Sequence, residues 1–325
     1  MLEANRIVTV TMHPAIDQVI EARQLQLGRT CKGRLLGRYP AGKGINVSRV
    51  AAILGVDSIA TGFVGAEELE WFEAHLADYG CSRAQLLAVR GETRHNLTLV
   101  DGAGGSQTHV RTSGFAVSAD NFERLRRKLT LLAAPGTTIV FAGSLPPGVE
   151  AKAFAELVGL VGRRGADTVV DTSEAALQVL SGQRLSLLKV NREELAQLTG
   201  EACADIEDTA AAAAAVLGPG WAEAVVVTLA AQGALLIREQ QRRRAWLTLA
   251  QGEAVANTVG CGDAFLAGLL LGGRGEEFAD RTASWEAALR LAVAAATASA
   301  LTSRAALVDR ETVAGLRDRV EFESV

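Results

Sequence analysis

The segment Asn257–Leu270, NTVGCGDAFLAGLL, holds the strongest local pattern in the chain. Gly260 and Gly262 stand just before an apolar helical run. Glycines there let the backbone approach a ligand closely, and the first turn of a helix offers unpaired N–H groups to an anion. Asp263 falls in that first turn, where the helix end favours its ionised form. It is either a working acid or simply a cap for the helix. Two glycines bracketing Cys261 make a tighter turn than a cap needs.

A second glycine-rich turn, AGKGINVSRVAAILG, spans Ala41–Gly55 and leads into a helix carrying Ile45, Val47, Val50 and Leu54. With Gly37 it nearly spells a phosphate-binding P-loop: Gly37, four residues, Gly42, Lys43. That motif next needs Ser or Thr to hold magnesium, and Gly44 stands there instead. No clear strand precedes the turn, so the P-loop reading is set aside. What remains is a turn at Gly42 on which a polyol packs against backbone, with Lys43 and Asn46 as polar contacts. For Asn46 the plain alternative is a helix cap.

Four weaker signals follow strand-like runs. In MHPAID, Asp17 stands beyond the first strand, where open α/β sheets bind ligands. It suits sugar hydroxyls, although an acid there is also a common turn residue. In AGSLPPGV, Gly143 and Ser144 could line the same crevice. In LKVNREEL, Asn191 and Glu194 share one face of a helix start. They suit hydrated Mg²⁺, which takes few protein carboxylates and keeps several waters, and they equally suit a capping box. The turn Thr228–Gly233 is a nucleotide contact or a plain link between strands.

The elements that must position these residues alternate. Strand-like runs cover Ile7–Met12, Ser58–Phe63, Thr138–Phe141, Thr168–Asp171, Leu187–Val190 and Ala224–Leu229. Helical runs cover Ile45–Leu54, Leu69–Tyr79, Asn121–Leu132, Ala151–Arg164, Glu193–Leu198, Ile206–Leu217, Ala264–Leu271 and Trp285–Leu301. This order predicts an α/β fold, a mostly parallel sheet covered on both faces. Pro219-Gly220 ends the helix that holds the alanine run Ala210–Ala215. Two regions, about 17–40 and 86–111, break the rhythm with short alternating stretches such as Asn96–Val100 and Gln107–Arg111. With turn residues at Asp101–Gly105 they predict a small antiparallel sheet inserted as a lid, or an ordinary surface hairpin.

Composition bounds the class. Of 325 residues 49% are hydrophobic but only 5% aromatic, so Ala, Val and Leu must fill the core. A net charge of -4 gives no reason to expect nucleic acid. Cys31, Cys81, Cys203 and Cys261 are far apart with no CxxC pair, which reads as reduced thiols of a cytoplasmic protein. The scattered histidines suggest no zinc site. The N-terminal segment lacks the apolar run of a signal peptide. Leu291–Leu301 is too short to span a bilayer and reads as a buried helix, so no membrane partner is expected.

Taken together and in this order, the motifs resemble the PfkB (ribokinase-like) family of carbohydrate kinases. VGCGDAF is similar to that family's C-terminal motif, with Cys261 where Ala or Ser is usual, and AGKGIN to its N-terminal glycine pair. MHPAID, ETRHN and GSLPPG resemble the branch of 1-phosphofructokinases, tagatose-6-phosphate kinases and minor 6-phosphofructokinases. The resemblance runs from about Ile7 to Ala300. It implies a single domain over 1–325, a ribokinase-like three-layer αβα sandwich with a small β lid. It implies ATP and Mg²⁺ as cofactors and a sugar phosphate as the small-molecule partner: fructose 1-phosphate, fructose 6-phosphate or tagatose 6-phosphate. It implies Asp263 as the catalytic base, with Gly260, Cys261 and Gly262 forming an anion hole. Asp17, Gly42, Lys43, Asn46 and Ser144 fall on the sugar. Arg94 meets the substrate's existing phosphate, which a planar guanidinium suits. Lys189, Asn191, Thr228 and Gly233 fall on the nucleotide side and Glu194 on the metal. A homodimer through the lid is implied as well.

Departures are visible. His13 replaces the usual Asn, Val190 the usual Pro and Ala230 the usual Gly. THVRTSG at Thr108–Gly114 stands where something like TEINxPG is usual, and Arg111 adds a charge there. Two alternatives stay open: a kinase of a nonphosphorylated sugar or nucleoside, and a silent sugar- or nucleotide-binding regulator on the same fold. A Rossmann dehydrogenase is disfavoured, since no GxGxxG follows the first strand.

Overall fold

The computed structural model describes residues 6–22, 25, 28–81, 83–102, 106–217, 220–239, 241–272 and 281–325. The chain opens with β1 (Arg6–Thr11), β2 (Ala15–Ala22), β3 (Gly33–Ala41), α1 (Lys43–Ile53), β4 (Ile59–Gly65), α2 (Leu69–Asp78) and β5 (Arg83–Val89). Next come β6 (Arg94–Asp101), β7 (Gln107–Arg111), α3 (Ala119–Leu132), β8 (Thr137–Ala142), α4 (Ala151–Arg163), β9 (Asp167–Asp171), α5 (Glu174–Gln178) and β10 (Leu187–Asn191). The remainder holds α6 (Arg192–Thr199), α7 (Ile206–Leu217), β11 (Val225–Thr228), β12 (Ala234–Arg238) and β13 (Gln241–Trp246). It closes with α8 (Cys261–Gly272), α9 (Arg281–Ala300), α10 (Arg310–Arg317) and β14 (Glu321–Ser324).

The larger sheet has the order β14-β13-β12-β11-β10-β9-β8-β1-β4-β5. The strands expected from sequence lie side by side in it, and every pairing from β11 through to β5 is parallel. Strand side chains alternate between faces. Val8, Val10, Ile139, Phe141, Leu188 and Val190 join a core with α3 to α7. Ile7, Val140, Val169, Leu187 and Val226 join another with α1, α8, α9 and α10. This alternation makes three layers.

Small residues do the packing that aromatics would do elsewhere. The run at Leu291–Ala300 is buried in α9, as expected, and lies close against α8. A Cβ on Gly268 would sit 2.6 Å from the Leu291 carbonyl oxygen, so glycine is required at that crossing.

The antiparallel edge β12-β13-β14 was not legible in the sequence. β13 carries RRRA, a polar run with weak strand preference. Its arginines are satisfied at the edge: Arg243 pairs with Glu286, and Arg244 pairs with Glu323 and stacks on Trp246.

The two irregular regions meet in a second sheet of order β3-β2-β6-β7. Its outer pairs are antiparallel, but β2 and β6 run parallel, Ala15–Ala22 beside Arg94–Asp101. The sheet is therefore mixed. The reason is topological: β2 follows β1 and β6 follows β5 in a sheet whose strands run the same way. Leu86–Val89 belongs to β5 of the larger sheet. β3, within the region 17–40 expected to join this sheet, directly precedes the Gly42 turn, where no clear strand was expected, because its largely exposed GRLLGRYPA has no apolar run. In the expected hairpin the Asp101 N–H donates to the Ser106 carbonyl at 2.9 Å. Residues 103–105 of that turn, 23, 24, 26 and 27 of the expected lid, and Pro219 lie outside the described residues.

Candidate active site

Parallel strands deliver their carboxyl ends to one edge. Asp171 ends β9, Asn191 ends β10 and Thr228 ends β11. Gly143 and Ser144 follow β8, and His13 and Pro14 follow β1. The helices α1 and α8 begin at the same edge, so their N-terminal residues meet there.

The centre is a buried ion cluster. Lys43 Nζ donates to Asp171 Oδ1 at 2.7 Å, and Lys189 Nζ donates to Asp171 Oδ2 at 2.7 Å. The Asp171 side chain is 0% exposed. Isolated, such a carboxylate would carry a penalty of several kcal/mol; two ammonium partners offset it. Burial pushes the Asp171 carboxyl up, but the two lysines outweigh it and hold it below the usual range. Burial draws the Lys43 ammonium down, yet Asp171, with smaller help from Asp263 and Glu194, leaves it raised. The Lys43 side chain is 35% exposed and can reach a ligand, whereas Lys189 is 6% exposed and locked in place.

Asp263 lies beside this cluster. It is buried in the first turn of α8, and Asn46 Nδ2 donates to its Oδ2 at 2.7 Å. Asn46 is itself in the first turn of α1, its N–H on the Gly42 carbonyl at 2.8 Å. Burial first, then the charge of Asp171, pushes Asp263 up to about 6; Asn46, Lys43 and Lys189 oppose the rise. The sequence expectation of an ionised acid holds at neutral pH, but burial outweighs the helix end and narrows the margin.

Gly260 adopts φ 80°, and a Cβ there would lie 2.5 Å from the Ala306 nitrogen, so the turn tolerates only glycine. Its carbonyl accepts from the Asp263 and Ala264 amides at 3.1 and 3.0 Å. The Cys261 amide leans to the Thr258 carbonyl at 3.4 Å. Among the described residues no protein acceptor meets the Gly262 amide. A Cβ on Gly262 would be 3.0 Å from Lys189 Nζ, which places positive charge directly behind the turn.

A second cluster sits on the smaller sheet. Asp17 is in strand β2, not in a turn, and register sets Tyr39, Asp17, Asn96 and Arg111 in one cross-strand row. Asn96 Nδ2 donates to Asp17 Oδ1 at 2.8 Å. Arg94 donates from Nε to the Pro14 carbonyl at 3.2 Å and from Nη2 to the His13 carbonyl at 3.1 Å. Burial raises Asp17, against Asn96 and the charges of Arg49, Arg94 and Arg111. Burial and the like charge of Arg111 lower Arg94. His13 Nε2 meets the Ser113 carbonyl at 3.0 Å. A carbonyl only accepts, so Nε2 carries the proton and Nδ1 accepts from Ser144 Oγ at 3.4 Å. Burial and Arg94 lower His13 to about 4, so it is neutral at pH 7.

On the far side, the Glu194 N–H donates to Asn191 Oδ1 at 2.8 Å, and the Asn191 N–H to Glu194 Oε2 at 2.9 Å. The capping box is real. It uses one carboxylate oxygen of Glu194, whose charge still reaches Lys43. Thr228 Oγ1 donates to the Val190 carbonyl at 3.4 Å. Gly233 closes the turn into β12, its N–H on the Ala230 carbonyl at 3.1 Å.

The structure thus gathers Gly42, Lys43, Asn46, Lys189 and Gly260–Asp263 around Asp171. Asp17, Arg94 and Ser144 form a neighbouring group, linked through Arg49, which feels both Asp17 and Asp263. Asn191, Glu194, Thr228 and Gly233 lie at strand ends beyond β9. Sequence reasoning missed Asp171, which it took only as the last residue of a strand; an acid at a strand's carboxyl end was the available signal. It also missed Arg49, a charge three residues after Asn46 within an apolar helix.

Known proteins similar to this chain show its family and fold. The profile of the pfkB family of carbohydrate kinases matches residues 10–311. The 1-phosphofructokinase of Escherichia coli (strain K12) is 30% identical over 322 residues, 98% of this chain and 99% of that protein. The crystal structure of phosphofructokinase-2 from Escherichia coli with substrates and products superposes with a TM-score of 0.86 at 28% identity, covering 96% of this chain and 98% of that one. The ribokinase of Arabidopsis thaliana, solved with ribose and ATP, superposes at 0.75 with 21% identity over 97% and 99% of the two chains, and shows the shared fold.

The charge balance predicts two stability effects. Asp171→Asn leaves the buried Lys189 ammonium short of a counter-charge and, with a smaller part from the partly exposed Lys43, costs about 3 kcal/mol in urea unfolding at pH 7. Asp263 behaves oppositely. Its folded value of about 6 exceeds the ordinary 3.8, so its contribution to stability is full below about pH 4 and is lost as pH rises through 6. Asp263→Asn therefore melts above the parent at pH 7.5 and close to it at pH 4; equal melting at both pH values would contradict the buried charge.

Proposed function

Because the chain belongs to the pfkB family of carbohydrate kinases, we propose that it transfers the terminal phosphoryl group of ATP to a hydroxyl of a ketohexose phosphate. The name of the Escherichia coli relative puts fructose 1-phosphate first, ahead of fructose 6-phosphate and tagatose 6-phosphate. The observation that carries the reading is Asp263: buried, titrating near neutrality, and held by Asn46 beside the Lys43–Asp171–Lys189 cluster.

In this reading Asp263 takes the proton of the acceptor hydroxyl through Oδ1, since Oδ2 is held by Asn46. A base with a pKa near 6 is ionised at pH 7 yet still basic enough to help in the transition state. The Gly260–Gly262 turn and Lys43 stabilise charge developing on the transferred group, with Cys261 in the same turn. Asp17, Gly42, Asn46 and Ser144 line the sugar's hydroxyls. Arg94 and Arg111 face one acid, Asp17, and their spare positive charge suits a phosphate dianion. Lys189 backs the anion turn, and Asn191, Thr228 and Gly233 border the nucleotide. The second carboxylate oxygen of Glu194 suits a hydrated Mg²⁺, which when bound would neutralise charge on the phosphates of ATP.

The smaller sheet acts as a lid over the sugar in this proposal. Leu35, Leu36 and Val110 on that sheet are exposed apolar residues, which fits a homodimer formed through it. Among the described residues no helix is long and apolar enough to cross a membrane. ATP consumption and free cysteines fit work in the cytoplasm.

A panel of fructose 1-phosphate, fructose 6-phosphate, tagatose 6-phosphate, free fructose and a nucleoside, each with Mg-ATP and read by ADP release, tests the assignment. Turnover is expected with a ketose phosphate. Activity confined to unphosphorylated acceptors would overturn it. Asp263→Asn should lower kcat by about 10²–10⁴-fold. Arg94→Ala should raise KM for the sugar phosphate by about two orders of magnitude while kcat at saturation changes little.

A further inference from the structure

Arg49 is a charged side chain that the proposed chemistry does not use, yet it is only 4% exposed. It lies one helical turn beyond Asn46 on α1. Its Nη2 donates to Asn46 Oδ1 at 3.0 Å, to the Ala305 carbonyl at 2.8 Å and to the Ala306 carbonyl at 3.2 Å. Its Nε reaches the Ala306 carbonyl at 3.3 Å and its Nη1 the Pro40 carbonyl at 3.5 Å. The ring of Tyr79 lies 5.8 Å from the guanidinium carbon. We propose that Arg49 is a positioning residue that fixes the side-chain amide of Asn46 and, through it, the orientation and proton affinity of Asp263. This rests on the kinase reading in which Asp263 is the base.

The argument is one of donors and acceptors. A guanidinium has no acceptor, so Asn46 must present oxygen to Arg49. Its nitrogen is then the atom that faces Asp263, and the bond it donates favours the carboxylate form. Without Arg49 the amide is free to turn its oxygen toward Asp263, and two oxygens facing each other favour the protonated acid. Loss of the guanidinium charge works in the same direction, because Arg49 and Asp263 attract. The other charged or titratable groups around Asp263 are Asp171 on β9, Lys43 on α1, Lys189 on β10 and Cys261 on α8. Around Arg49 they are Asp17 on β2, Tyr79 and His75 near the end of α2, and Arg304 after α9. Among the described residues, Arg49 is the side chain that donates to Oδ1 of Asn46.

Arg49 also reaches the anion turn. The Ala306 amide donates to the Val259 carbonyl at 3.3 Å, and Ala306 fills the space a Cβ on Gly260 would need. The Pro40 carbonyl belongs to β3 of the smaller sheet. One guanidinium thus ties together the lid, the base and the turn that receives the phosphoryl group.

The test compares the parent with Arg49→Met, Arg49→Lys, Asn46→Ala and the Arg49→Met/Asn46→Ala double variant. Two readouts are taken: the pH profile of kcat/KM with fructose 1-phosphate and Mg-ATP, and the titration of the Asp263 carboxyl carbon by NMR in unliganded protein. In Arg49→Met the inflection is expected to rise by about one pH unit, so kcat/KM at pH 6 falls about fivefold more than at pH 8.5. Arg49→Lys keeps the charge but not the fork, so the rise persists in smaller measure. The double variant shifts little beyond Asn46→Ala alone. A residue that merely held the 305–306 loop would lower the melting temperature and leave the titration where it was. The proposal is overturned by an unmoved Asp263 titration in Arg49→Lys or Arg49→Met, or by full additivity in the double variant. If Arg49→Met does not fold, Arg49→Lys decides. The NMR titration needs no turnover, so positioning can fail while the kinase reading stands, or hold while it falls.

Discussion

The site depends on one electrostatic constraint: two buried carboxylates, Asp171 and Asp263, share a low-dielectric space and raise each other's proton affinity. Neither could be tolerated alone at that depth. Lys43 and Lys189 resolve the conflict unevenly. Both bond to Asp171, which stays ionised, while among the described residues Asp263 receives only the neutral amide of Asn46 at hydrogen-bond distance. The asymmetry divides the labour. Asp171 becomes a fixed anchor for two cations, and Asp263 is left near neutrality with one oxygen uncommitted.

That anchor also explains why the helices start where they do. Lys43 opens α1 and must reach the end of β9, so the Gly42 turn has to bring the helix start against the sheet edge. Lys189 comes from the neighbouring strand β10 and presses on the Gly262 turn, so α8 is drawn to the same place. Three separate stretches of chain, distant in sequence, are thereby fixed to one carboxylate. The parallel sheet makes this possible, because only parallel neighbours deliver several carboxyl ends to a single edge.

Much of this architecture was legible in the residues. Valine- and isoleucine-rich runs separated by helical stretches gave the central strands and their covering helices, because burial on both faces leaves a strong, continuous signal. The glycine turns at Gly42 and Gly260 were legible for the same reason that they are needed: few other residues fit such backbone. What escaped was whatever depends on partners distant in sequence. β3 and β13 read as polar because their neighbours, not their own residues, make them strands. Leu86–Val89 looked like part of the inserted sheet because its pattern does not say which sheet it joins. Asp171 was visible as an acid at a strand's carboxyl end, but the two lysines that converge on it come from elsewhere in the chain. Arg49 was hidden because a buried arginine inside a helix looks, in sequence, like an exposed one.

The two groups of the site differ in their balance of charge. In the inner group Lys43, Lys189 and Arg49 face Asp171 and Asp263. In the outer group Arg94 and Arg111 face Asp17, while His13 between the groups is neutral and adds nothing. The outer group therefore keeps a cation in excess over its acid, whereas Glu194, whose charge reaches Lys43, balances the inner one. In the outer group burial first, then the like charge of Arg111, lowers Arg94. In the proposed reaction a phosphorylated sugar in the outer group would meet a positive field already arranged before it arrives. Arg49, sensed by Asp17 on one side and Asp263 on the other, lies where the two fields overlap.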